Sequence, residues 1–351
     1  MKRNSFFIFL TALIFIFAFV RMKNGILIVD EGNHFDQIMR FAGGDFRLNE
    51  ILMTVPGYYF VIALLVRITG VSPSYLRTSP SYLRTSPSYL RTSPSSLRTS
   101  TLADVRLIAF VINLFLIALF YTLVRFMDKG NAGRKTLQFA FLPIIFPFYF
   151  LIYTDIFSLI FILCAFYFVL KKNYGGAGLA STASLFIRQN NVFWLLFFNL
   201  LLYILIYGLP LRKTHLISHA RKSIFFIGGV FLLSFLFLWM GGVVGSGYAK
   251  NFVHFSWTLF GNIYFFLFIS FVLFLPRQIA ALPRVYTFLA EKKWMVAVLF
   301  LFYLFFLATF ANDNPFNHAT WFIRNALLEF FTRDIFSKSV FFIFLLYSLL
   351  T

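Results

Sequence analysis

The sequence predicts an all-α, polytopic membrane protein, on three observations. Of its 351 residues, 60% are hydrophobic, 12% are charged and 54 are Phe, a load that soluble domains do not carry. Apolar runs recur near the ~20 residues that cross a bilayer. Lys and Arg gather in short segments between those runs.

The first run, 6–21, follows "MKRN" and ends in "RMKNG", which offers no small-residue cleavage site. An uncleaved anchor with its basic end in the cytosol is expected. Further runs fall at 105–126, 137–153, 156–170, 175–187, 192–207, 224–242, 255–275, 295–311 and 335–350. Short basic loops at 125–135, 171–173, 211–222 and 276–293 are expected to share the cytosolic side. That parity leaves one apolar candidate before Asp128 that does not cross. "PGYYFVIALLVRIT" (56–69) is the weakest, short, opened by Pro56-Gly57 and carrying Arg67, and is expected as a juxtamembrane or re-entrant helix.

The net charge of +19 is then a retention signal for these loops, not the footprint of nucleic acid. One cysteine, Cys164, lies inside a run, which excludes disulfides and Cys-based metal sites. "SPSYLRTSPSYLRTSPSYLRTSPSSLRTS" (72–100) is a tandem heptad with Ser-Pro in each copy, which breaks helices. A low-complexity loop is expected, with contact to lipid headgroups as the alternative. Its arginines fall on the non-cytosolic side, against the charge rule that orders the other loops. The whole chain is expected to form a single membrane domain, 1–351.

The non-cytosolic face collects Asp30, Glu31, Asp36, Asp45, Glu50, Asp155 and Asp313, with His34, His254 and His318. Asp30 and Glu31 adjoin the mouth of the first span, in the loop 22–55. Neighbouring carboxylates repel, raising one pKa and leaving the other ionised, as a general base needs. Solvated loop acids are the plainer reading for Asp36, Asp45 and Glu50. "HFDQIMRFAGGDF" places Phe35, Ile38, Met39 and Phe41 as an amphipathic interfacial helix ended by Gly43-Gly44.

"FIRQNNVFW" concentrates polar groups between apolar runs. Arg188 suits a phosphate and the amides of Gln189, Asn190 and Asn191 suit sugar hydroxyls, with helix packing as the alternative. "NDNPFNHATWF" offers Asp313, Asn314, Asn317, His318 and Trp321, a carbohydrate-type mixture, and Lys250 with His254 suits an anionic lipid phosphate. No HExxH or DxD spacing occurs, so no metal is expected. Walker and dinucleotide glycine motifs are absent too, which disfavours nucleotide-driven pumping and soluble nucleotide sugars. A transporter would carry mid-span charges and internal repeats of spans.

Taken in order, "DEGNHFDQIMRFAGGDF", "LMTVPGYYFVIALL", "VRLIAFVINLF", "YTD", "FIRQNNVFW", "HF" and "DNPFNHATWF" resemble the dolichyl-phosphate-glucose-dependent alpha-1,2-glucosyltransferases of the endoplasmic reticulum. The likeness runs from about residue 26 to 325, with the repeat as an insertion. It departs from the family pattern at "GSGYAK", at "NPFNH" and in ending soon after the final motif.

The resemblance implies a GT-C-like helical bundle whose lumenal first loop bears flat juxtamembrane helices and an essential acid. It implies an inverting hexosyltransferase without cofactor. Its donor is dolichyl phosphate glucose, and its acceptor is the terminal glucose of a dolichyl-diphosphate oligosaccharide used in N-glycosylation. Asp30 is the implied base, with Glu31 as alternative. Arg188, Lys250 and His254 would face the donor phosphate, and His34, Gln189, Asn191, Asp313, His318 and Trp321 the sugars. Another polyprenyl-phosphate-sugar transferase and an inactive relative stay open as alternatives.

Overall fold

The computed structural model describes residues 2–28, 30–49, 52, 54–71, 99–210, 212–239, 260–312 and 326–350. Lys250, His254, Asp313, His318 and Trp321, Glu50 and nearly all of the repeat therefore lie outside the described residues. The described residues form helices and no strand, the polytopic helical class that the hydropathy predicts. Two compact units, 1–253 and 254–351, are each built around their own apolar clusters.

In the first unit the helices are α1 (Lys2–Met22), α2 (Glu31–Gly43), α3 (Gly57–Ile68), α4 (Thr99–Met127), α5 (Ala132–Ala140), α6 (Thr154–Leu170), α7 (Tyr174–Ile187), α8 (Val192–Tyr207), α9 (Lys213–Lys222) and α10 (Ile224–Trp239). The second unit holds α11 (Phe260–Leu273), α12 (Leu275–Glu291), α13 (Lys293–Thr309), α14 (Ala326–Thr332) and α15 (Ile335–Leu350). Among the described residues, two helices, Thr101–Met127 and Gln189–Tyr207, are long and apolar enough alone to cross a membrane. Two bent pairs, α9 with α10 and α11 with α12, also pass that test, and the remaining apolar helices are shorter. Lipid-facing side chains need no polar cover: on α4, Val111 and Phe115 are 51% and 62% exposed.

α1 runs back along α4, with Phe19 stacked on Phe110 and Phe15 against Tyr149 and Phe150. The expected span 137–153 is not one helix. α5 stops at Ala140, and a 3-10 turn occupies Phe146–Phe150, because Pro143 and Pro147 cannot continue a helical ladder. The broken segment still travels the length of α4, from Phe139 against Phe120 to Ile152 beside Glu31. Non-helical backbone in lipid must find donors inside the protein. Asn113, buried on α4, supplies them, donating from Nδ2 to the Phe148 and Tyr149 carbonyls at 3.2 Å each. Asn113→Leu is expected to cost about 1–3 kcal/mol, read as a lowered melting temperature of the purified protein. An unchanged melting temperature would show that those carbonyls have other donors.

Helices in lipid associate through close packing more than through the hydrophobic effect, so small residues mark the tightest contacts. α7, "YGGAGLASTASLFI", is such a helix and sits among α6, α8 and α10. A Cβ on Gly178 would stand 2.7 Å from the Phe225 side chain, so only glycine allows this approach.

Three of the basic loops lie together at one end of the first unit. Phe126, next to the 128–135 turn, packs on Tyr167, whose ring also carries Lys171, and Tyr174 bonds to His219 of α9. The segments 211–222 and 276–293, expected as loops, are largely helical, in α9 and α12.

Candidate active site

At the opposite end, the starts of α2, α3 and α6 meet the end of α7. Gly57 opens α3 directly against α7, where a Cβ would lie 2.3 Å from the Phe186 carbonyl oxygen. α2 and α3 then run side by side: Tyr59 meets His34 near their starts, and Arg67 Nε donates to the Ala42 carbonyl near their ends. Val66 and Val71 share an apolar cluster with Leu102 and Val105 of α4, so α3 leaves beside the start of α4.

Arg106, fully buried on α4, organises the loop between α1 and α2. Its guanidinium donates to the Met22, Gly25 and Ile26 carbonyls, filling acceptors that the end of α1 leaves open. It also grips Glu31 with two bonds, Nε to Oε1 at 2.8 Å and Nη2 to Oε2 at 2.6 Å. Glu31 in turn accepts from the Ile28 and Ile152 amides, both at 3.1 Å, with no solvent exposure. A carboxylate with four donors and no access is a structural anchor. This arrangement disfavours Glu31 as the base.

Asp30 differs from its neighbour in every respect. It precedes α2 as the N-cap residue, yet its side chain makes no capping bond, and it is exposed. Partial enclosure by the surrounding protein nevertheless raises its pKa above the usual 3.8. One turn along, His34 is 6% exposed, and its Nδ1 lies 2.8 Å from the Tyr59 hydroxyl, which is 2.6 Å from Thr54 Oγ1. Burial pulls His34 down to about 4, with Asp155 opposing and Arg188 reinforcing the shift, so its imidazole is neutral at physiological pH. Tyr153 packs edge-on to His34 and donates its hydroxyl to the Ile28 carbonyl, tying "YTD" to the acid loop.

Asp155 occupies the first turn of α6, where the helix dipole favours an anion. It is paired with Arg188, which follows α7 in an extended conformation. Both remain partly exposed, so the guanidinium keeps edges open to a ligand. Asn191 sits elsewhere in chemical terms. It is 5% exposed and donates both amide protons, to Ser158 Oγ at 2.7 Å and to the Ser184 carbonyl at 2.8 Å. Those bonds fasten α8 to α6 and α7 and leave no amide proton for a sugar, so the packing alternative describes it. Gln189 is half-buried in the same 3-10 turn, Gln189–Asn191. The other loop acids are engaged locally, Asp36 with Arg40 at 3.8 Å and Asp45 with Arg47 at 2.9 Å. Among the described residues, no three His, Cys, Asp or Glu side chains are grouped to hold a metal ion.

Of the expected site residues, the structure brings together Asp30, His34 and Arg188, and adds Tyr59, Thr54, Tyr153 and Asp155. Arg106 is a further addition, through its grip on Glu31. Its signal was present as a charge within the apolar run "VRLIAFV", where an arginine is costly without a dedicated partner.

Fold and site together define a polytopic all-helical membrane protein with an acid, a neutral imidazole and an arginine assembled where four helix ends meet. Comparison with known proteins agrees in the same region. The DIE2/ALG10 family model matches residues 24–208, more than half of the chain, and the chain belongs to that family. A relative from Arabidopsis thaliana, "Dol-P-Glc:Glc(2)Man(9)GlcNAc(2)-PP-Dol alpha-1,2-glucosyltransferase", is 30% identical over 174 residues, 48% of this chain and 32% of the relative. The chain thus spans about a third of that relative's length. No solved structure matches it.

Proposed function

We propose that the chain is a dolichyl-phosphate-glucose-dependent alpha-1,2-glucosyltransferase of the endoplasmic reticulum membrane, with its site facing the lumen and α3 as a juxtamembrane helix. It would add glucose to the terminal glucose of a dolichyl-diphosphate oligosaccharide used in N-glycosylation. The observation that carries this reading is the division of labour between adjacent acids: Glu31 is enclosed by four donors, and Asp30, one turn before His34, is exposed and makes no capping bond. The acceptor 2-hydroxyl gives its proton to Asp30 as its oxygen bonds to the anomeric carbon. The bond from that carbon to the phosphate oxygen breaks, and dolichyl phosphate departs with the configuration inverted.

Phosphate leaves with negative charge, so it needs an opposing charge more than a proton. Arg188 supplies that charge and Asp155 holds its fork in direction. Neutral His34, fixed by Tyr59, is suited to hydrogen-bond a sugar hydroxyl without adding charge. Lys250 and His254 are proposed for the phosphate, and Gln189, Asp313, His318 and Trp321 for the sugars, as the family resemblance implies.

A general base acts ionised, and burial raises the pKa of Asp30. Transfer is therefore expected to fall as pH drops through a value above the ordinary 3.8 of aspartate. A pH profile of kcat/KM in membranes checks this, and an acid limb at or below that ordinary value would contradict it. The function itself is tested by complementing a cell that lacks the third-glucose transferase and sizing its lipid-linked oligosaccharide. Persistence of the two-glucose species defeats the reading. Transfer in microsomes given dolichyl phosphate mannose, but not the glucose form, would favour the other polyprenyl-phosphate-sugar transferase.

A further inference from the structure

α9 has two unlike faces. One is docked: His219, 9% exposed, has Nδ1 2.6 Å from the Tyr174 hydroxyl, Ser218 Oγ lies 2.9 Å from the Tyr207 hydroxyl, and Lys222 donates to that same hydroxyl at 3.4 Å. The other is open. At ~100° per residue, Leu216, Ala220, Lys213, Ile217 and Arg221 follow one another across an arc of about 140°, and all five are exposed. Leu216 and Ile217 are 45% and 47% exposed there. The segment 209–222 contains no Asp or Glu, and Arg212 just before the helix is exposed as well.

Two further features say what covers this face. α9 meets α10 at a 66° bend, so it turns sharply away from an apolar helix instead of continuing it. The outer surface of α10 begins immediately with Ile224, 61% exposed, followed by Phe231 at 71% and Phe235 at 62%. The apolar part of α9 is thus continuous with a surface that lipid covers, and its cations stand at the edge of it. An in-plane helix with leucine and isoleucine beside lysine and arginine fits the boundary between acyl chains and headgroups. Cations at that boundary favour anionic lipid.

We infer that α9 is a lipid-recognition surface that takes anionic phospholipid headgroups in the leaflet away from Asp30. Tyr174 begins α7 and Arg188 follows its last residue, so the fourteen-residue helix separates the two by about 21 Å at ~1.5 Å per residue. This surface is therefore distinct from the one where a donor phosphate would meet Arg188, and its existence does not depend on the sugar transferred.

The test uses the full chain with Cys164→Ser and Ile217→Cys, labelled with bimane and reconstituted in phosphatidylcholine liposomes. Doxyl-labelled phosphatidylserine or doxyl-labelled phosphatidylcholine is titrated in as quencher. The expected result is a preference for the serine lipid on the order of five- to tenfold. It should fall to about one in Arg212→Gln/Lys213→Gln/Arg221→Gln and persist in Arg212→Lys/Lys213→Arg/Arg221→Lys, which controls for folding. A ratio near one in the parent, or a preference that survives neutralisation, overturns anionic recognition. Absence of quenching by either lipid overturns the placement of α9 at the bilayer.

Discussion

Asp30→Asn is expected to lower the proposed glucose transfer by about 10²- to 10⁴-fold, the range that a positioned general base supplies, with the protein accumulating and melting as the parent does. The second half follows from geometry: the Asp30 side chain makes no capping bond, so its loss removes no contact that holds α2. Glu31→Gln behaves in the opposite way. An amide cannot accept both bonds from Arg106 and those from the Ile28 and Ile152 amides, so stability falls first and activity follows it. The measurement is single-turnover transfer beside thermal unfolding of the same preparations. Full activity in both variants would sink the assignment of the base, and an Asp30→Asn protein that fails to fold would show that its carboxylate is structural.

Arg106→Met is expected to be the most destabilising single change in the described part of the chain. It leaves Glu31 buried and unpaired, which costs about 3–5 kcal/mol, and it strips the donor from the Met22, Gly25 and Ile26 carbonyls. Because that loop carries Asp30, activity is lost with the fold. The double variant Arg106→Met/Glu31→Gln removes the orphaned charge while keeping an acceptor for one of the two amides, so it should melt above Arg106→Met alone. Additive losses in that cycle, measured by thermal unfolding in detergent, would show that the two residues do not act as a pair.

Much of this molecule is legible one residue at a time. In lipid a backbone must satisfy its own hydrogen bonds, so apolar runs without an internal proline become helices, and α1, α4, α6, α8 and α15 lie where hydropathy puts them. Loop charge is similarly local, and it groups 125–135, 171–173 and 211–222; their shared end of the first unit follows from helices that alternate in direction. The motifs around Asp30 and Arg188 were likewise enough to indicate the family.

What the chain order could not carry was the partner of each polar group. Asp30 and Glu31 are chemically near-equivalent neighbours in a string of letters. Arg106, 75 positions from Glu31, separates them by enclosing one and leaving the other open. The same holds for Asn191, which reads as a sugar ligand beside Arg188 until Ser158 and Ser184 take its protons, and for Asn113, whose purpose appears only against the carbonyls of a proline-broken segment. The sequence by itself determined the helical class, the position of the uninterrupted apolar helices and which basic loops of the first unit share an end, because backbone satisfaction and loop charge are local properties. The tertiary structure alone decided which carboxylate is available for chemistry, because availability depends on donors brought in from other helices.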